Sequence, residues 1–73
     1  MKIRITLDKK TDVVDFVNAV SGVPHEVFLS DGKRQQICAK SQLGAILAKT
    51  EWDEIYCECE VDIYSIIARY TAE

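Results

Sequence analysis

Ser41, the single imidazole of His25 and the cysteine pair Cys57 and Cys59 are the side chains whose chemistry has to be weighed first. Ser41 stands at the head of the apolar run Leu43-Gly44-Ala45-Ile46-Leu47-Ala48. A serine there offers its hydroxyl oxygen to the first free amides of a helix, and a phosphate is tolerated at the same place. His25 precedes a strand-like run and reads as a strand-end residue with no chemistry of its own. Cys57 and Cys59 are two apart on an alternating run, so they share the apolar face of a strand with Ile55. Thiols on such a face act as small hydrophobes, whereas redox work needs exposure and a lowered pKa. Cys38 has the opposite parity from Ile37 and is expected to face solvent. No nucleophile, base and orienting group recur at a recognisable spacing, so neither an enzyme nor a cofactor is expected.

The elements that must position these residues follow from periodicity and punctuation. Lys2 to Leu7 alternates, with Ile3, Ile5 and Leu7 on one face. Thr11 or Asp12 is expected to cap a helix reaching about Ser21, with Val13, Phe16, Val17 and Val20 as its stripe. Gly22 and Pro24 stop it. Glu26 to Ser30 and Lys33 to Ala39 read as two strands joined by Asp31-Gly32, a tight hairpin turn with positive φ at both positions. Ile37 and Ala39 should point inward. Ser41 then caps a short helix to about Lys49. Gly44 weakens that helix by about 1 kcal/mol relative to alanine, which fits a segment held by packing or by a partner. Glu54 to Glu60 alternates as a strand, with Trp52 before it covering a core edge. A last helix is expected from about Val61 to Thr71, burying Ile63, Ile66, Ile67 and Tyr70. On the wet sheet face, Arg4 should pair with Glu58 or Glu60.

Composition bounds the reading. With 73 residues and 48% hydrophobic side chains the chain is one domain with a well-supplied core. No apolar run approaches the roughly 18 to 20 residues of a membrane span, and the chain opens on a strand instead of a signal peptide. A net charge of -3 argues against a nucleic-acid partner. Three cysteines cannot all pair, and no Cys/His tetrad offers a zinc site, so a reducing cytoplasm is the expected compartment.

The order strand-helix-strand-strand-helix-strand-helix, with one apolar face per strand, predicts an α+β fold: a four-stranded antiparallel sheet with three helices on one side. A ferredoxin-like arrangement with an appended helix is the alternative, and the short middle helix favours the open-faced sandwich.

Over essentially its whole length the chain resembles HPr, the phosphocarrier of the bacterial sugar phosphotransferase system. Asp12-Val13-Val14-Asp15-Phe16-Val17, Ser30-Asp31-Gly32-Lys33 and Ala39-Lys40-Ser41 carry the resemblance, together with element order and length. It implies a single HPr-like domain over 1–73. HPr-like carriers hold a phosphoryl group on a histidine within a Gly-Leu-His-x-Arg-Pro pattern. Here that stretch is Leu7-Asp8-Lys9-Lys10-Thr11-Asp12. Lys9 falls in the place of the histidine, Thr11 of the arginine and Asp12 of the proline. A protonated lysine has no lone pair to attack phosphorus, so the resemblance implies a member without histidine phosphotransfer.

Ser41 is the matched position that survives. In relatives it is phosphorylated by a dedicated kinase, and the modified protein binds a transcriptional regulator; some relatives keep this serine, lack the histidine and act only in regulation. Phosphorylation and simple helix capping are both open for Ser41. In an HPr-like arrangement the first two helices open side by side, so Lys9, Lys10, Lys40 and the amides after Thr11 and Ser41 would form a shallow anion site, unless these are scattered surface lysines. The second helix is apolar nearly all round, and Ile46 falls where HPr-like proteins show apolar side chains to partners. Ile46, with Ala45 or Leu43, is therefore either a docking or self-association patch or is buried under the neighbouring loop. The expected partners are proteins, among them a serine kinase or transcriptional regulator, with the chain a monomer or weak homo-oligomer.

Overall fold

The computed structural model describes residues 1–72. Its elements run β1 (Lys2–Ile5), α1 (Lys10–Ser21), β2 (Val27–Ser30), β3 (Gln36–Cys38), α2 (Gln42–Glu51), β4 (Ile55–Cys59) and α3 (Tyr64–Ile67), the last continuing as a 3-10 turn over Ala68–Tyr70. The strands form one sheet in the order β1-β4-β2-β3, and every neighbouring pair is antiparallel. A βαβ unit needs parallel strands joined by a crossover helix. No parallel pair occurs among the described residues, which removes the ferredoxin-like alternative.

Strand parity sorts the sheet into two faces. Ile5, Val27, Leu29, Ile55, Cys57 and Cys59 are buried beneath the helices. Lys2, Arg4, Phe28, Gln36, Cys38, Tyr56 and Glu58, on the other parity, are exposed or half-buried. α1 is the central helix, touching α2 on one flank and α3 on the other. It buries Val13, Phe16, Val17 and Val20 as its spacing requires, and the Phe16 ring meets Tyr70 edge-on at 5.4 Å and 88°. Such a pair adds about 1 kcal/mol beyond burial of its area. Trp52 packs half-buried against the core edge.

Several expectations need correction. α1 starts at Lys10, with Lys9 at the cap position. Lysine has no acceptor, so the cap is half made: the Asp12 carboxylate reaches back to receive the Lys9 amide at 3.0 Å. The hairpin is wider than a two-residue turn. Only Gly32 has positive φ, and the Asp31 carboxylate accepts the amides of Lys33, Arg34 and Gln35 at 2.8, 3.0 and 3.1 Å. That local acceptor competes with the ladder, so β3 begins at Gln36 and not at Lys33. Ile37 is half-buried at the sheet edge, whereas Ala39 is fully buried just beyond the strand.

The β1 ladder ends at Ile5, and the last helix shrinks to a single α-turn. After the 3-10 turn the chain stretches out at Thr71 along the outer edge of β1, with Thr6 N–H donating to the Tyr70 carbonyl and Ala72 N–H to the Arg4 carbonyl. Ile66 is exposed, unlike Ile63, Ile67 and Tyr70. Arg4 pairs with Glu54 at 3.8 Å, not with Glu58 or Glu60.

Candidate interaction surface

Ser41 caps α2 as its sequence position requires: its Oγ accepts the Gly44 amide at 3.1 Å, and its backbone is extended. The hydroxyl-bearing residue is exposed. From this cap the helix winds so that Ala45 and Ala48 are fully buried, together with half-buried Trp52 one turn on. The larger apolar side chains point the other way. Leu43 is 80% exposed, Ile46 42% and Leu47 50%. Small residues thus seat α2 on the sheet, and its branched side chains form a stripe at i, i+3 and i+4 facing outward. Ala45 does not belong to this patch, and Ile46 is not buried under a loop; the surface is Leu43, Ile46 and Leu47.

Gly44 sets how closely α2 sits on the sheet edge. A β-carbon there would meet Ile37 Cδ1 at 3.2 Å and the Cys38 carbonyl at 3.5 Å. The flank of α2 that carries Gly44 and, three residues on, Leu47 therefore overhangs β3.

Two lysines tie α2 to its surroundings. Lys40 Nζ donates to the Val23 carbonyl at 2.6 Å, beyond the end of α1. Lys49 Nζ donates to the carbonyls of Leu7 at 2.6 Å and Asp8 at 2.9 Å, just before α1 begins. The start of α2 is thus beside the end of α1, and the two helices are antiparallel. Their amino ends are separated by nearly the full length of α2, about 15 Å for its ten residues. Lys9, Lys10 and Thr11 gather exposed at one end, and Ser41 and Lys40 at the other. The anion cluster expected from side-by-side helix starts is not assembled, and the Lys40 ammonium is already engaged.

Lys49 is the residue that sequence reasoning missed. A basic side chain in the last helical turn signals favourable placement in the helix dipole, but nothing local shows that carbonyls forty residues away will receive it. The antiparallel pairing also sets Val14, an exposed residue of α1, level with Ile46.

The remaining candidates are accounted for by local contacts. His25 is exposed beside Glu60 at 3.6 Å and lies past the end of α1, far from Lys9. Cys57 is buried, and burial pushes its thiol up to about 12, with the neighbouring Cys59 adding to the shift. Cys38 is exposed on the open sheet face. A polar depression is lined by Asp31, Lys33, Gln35, Glu51, Trp52, Asp53 and Glu54. Within it, Asp31 is spent on three amides, whose hydrogen bonds hold its carboxyl below the usual range. Glu54 accepts from Tyr56 and pairs with Arg4, and that hydrogen bond, with the carboxylate's charge beside it, raises the Tyr56 phenol. Among the described residues no three His, Cys, Asp or Glu side chains gather as metal ligands, and no helix is long and apolar enough to cross a membrane.

Comparison with models of known protein families, with curated proteins and with solved structures finds no match for this chain. The geometry of α2 is therefore what a functional reading has to stand on.

Proposed function

We propose that this chain is a non-catalytic, HPr-like interaction and regulatory protein that docks a protein partner on the outer face of α2. The observation that carries the proposal is the inversion on that helix: alanines face the core while Leu43, Ile46 and Leu47 face solvent. Exposing three branched side chains side by side has no folding benefit, and such patches are what partner recognition uses. The antiparallel open sheet, the order of elements and the motifs around Phe16, Gly32 and Ser41 support the relation to phosphotransferase carriers. Lys9 in the place of the transferable histidine supports a role without phosphocarrier chemistry, in the cytoplasm where those systems work.

Ser41 supplies the control point. Its hydroxyl is exposed, and Leu43 begins the apolar stripe two residues on. A phosphate there would receive the amides at the head of α2 and would set a dianion against the stripe. A serine kinase would thus change which partner, among them a transcriptional regulator, is preferred.

The test has two arms. Incubation with phosphoenolpyruvate and the general phosphotransferase enzyme should leave no acid-labile phosphate on the chain; label on Lys9 or His25 would overturn the non-carrier reading. Intact mass of protein isolated from its host should show a phosphate on Ser41 under some carbon source, and Ser41→Asp and Ser41→Ala should differ in partner affinity. Equal affinity, with Ser41 always unmodified, would remove the switch.

A further inference from the structure

The two edges of the sheet are treated differently. At β1, the outward-facing Thr6 amide and Arg4 carbonyl are taken by Tyr70 and Ala72, and two cations, Lys2 and Arg4, line the strand. Cover and charge are the usual guards of an edge. β3 has neither. Hydrogen bonds from Ala39 N–H to the Val27 carbonyl and from Asp31 N–H to the Gln35 carbonyl fix the ladder parity. Residues 37, 39 and 35 therefore turn toward β2, and the N–H groups of Gln36 and Cys38 and the carbonyl of Gln36 turn outward. No strand lies beside β3 among the described residues, and residues 35–39 carry no charge, proline or bulge. Overhanging this bare edge is the Gly44–Leu47 flank of α2.

We infer that β3 and this flank of α2 form a twofold interface with a second copy of this chain. The inference rests on reading the α2 stripe as an interaction surface, and commits its Leu47 side to one occupant. Antiparallel pairing of β3 with itself, centred on Ile37, sets Gln36 opposite Cys38 of the other copy and joins the two sheets into one. Paired strands lie about 4.8 Å apart. α2 touches β2 as well as β3, so its axis is set back about half a strand spacing from the edge and meets its symmetry mate at about 8–10 Å, the separation of packed helices. One operation thus satisfies the open backbone groups and covers Leu47 against its counterpart. The two α2 helices run antiparallel, so each Glu51 faces the amino-terminal turn of the other, where the helix dipole favours a carboxylate. The uncharged edge lets two copies approach despite the net charge of -3 on each. A twofold contact is self-complementary, which is what a strand pairing with itself supplies.

Sedimentation equilibrium of the full chain from micromolar to millimolar concentration should show a monomer–dimer equilibrium. Leu47→Lys should weaken it at least about tenfold, while Ile46→Lys, on the α1 side of the stripe, should leave it unchanged. Opposed residues in this register stand about 5.5 Å apart, within disulfide reach. Gln36→Cys should therefore give a covalent dimer on oxidation, and adding Cys38→Ser should abolish it. Unchanged melting temperatures would show that each variant folds. A monomer at every concentration, or a dimer indifferent to Leu47→Lys and giving no crosslink, would overturn the inference. Partner affinity lost in Ile46→Lys alongside a strictly monomeric chain would leave the docking reading intact and dismiss the second copy.

Discussion

The three thiols occupy three environments, and their reactivity should follow. Cys38 is exposed, whereas Cys57 and Cys59 are buried. Ellman's reagent should modify Cys38 at once in the native protein and the other two only on unfolding; three prompt equivalents would contradict the buried pair. Cys57 also carries a pH consequence. Its thiol is raised to about 12 in the folded chain, so its neutral form contributes stability in full below the unfolded thiol value of about 8.5. That contribution declines above there and is gone once pH passes the folded value. Asp31 works in the opposite sense. Amide hydrogen bonds lower its carboxyl, so its contribution is complete above the unfolded value of about 3.9 and is lost as pH falls through the folded one. Urea unfolding of Asp31→Asn against the parent should show a stability gap at neutral pH that closes in strong acid.

At the scale of elements, the parts legible in sequence were those decided by local chemistry. The stripe of α1, the Ser41 cap, the alternation of β4 and the burial of Cys57 and Cys59 all follow from spacing alone. What was misread was decided by distant atoms or by competing acceptors. Asp31 reads as half of a tight turn, but its carboxylate gathers three amides and lengthens the loop. The last helix reads as three turns, but the chain is recruited to cover β1. α2 reads as apolar all round, and only the sheet edge decides that its alanines go inward. Gly32 shows how strict the hairpin is: φ is 80°, and a β-carbon would stand 2.7 Å from Tyr56 Cε2. Gly32→Ala should cost about 1–3 kcal/mol by backbone strain and ring displacement. Ser41→Ala should cost about 1 kcal/mol through the lost cap. Gly44→Ala is expected to gain less than about 1 kcal/mol, because the tightest neighbour is the mobile end of Ile37. Chemical denaturation of the three variants ranks them; a stabilised Gly32→Ala would contradict the left-handed turn.

Across the whole molecule, a sheet covered on one side has α1 and α2 packed against each other above it, and two lysine ammonium groups tie their opposite ends together. Lys49→Met should lower stability by about 1.5 kcal/mol, since it withdraws a charged donor from two carbonyls. Hydrogen–deuterium exchange should then quicken at the start of α1 and the end of α2, with β2 and β4 unaffected; uniform loosening would mean that the helices are held otherwise. The acceptors of Lys40 and Lys49 are neutral carbonyls, not carboxylates. Ionic strength therefore acts selectively: molar salt screens the Arg4–Glu54 pair on the open face but has little hold on a short ammonium–carbonyl contact. Thermal melting should shift only slightly between dilute buffer and brine, because the surface holds few ion pairs for salt to weaken and the helix ties are not among them.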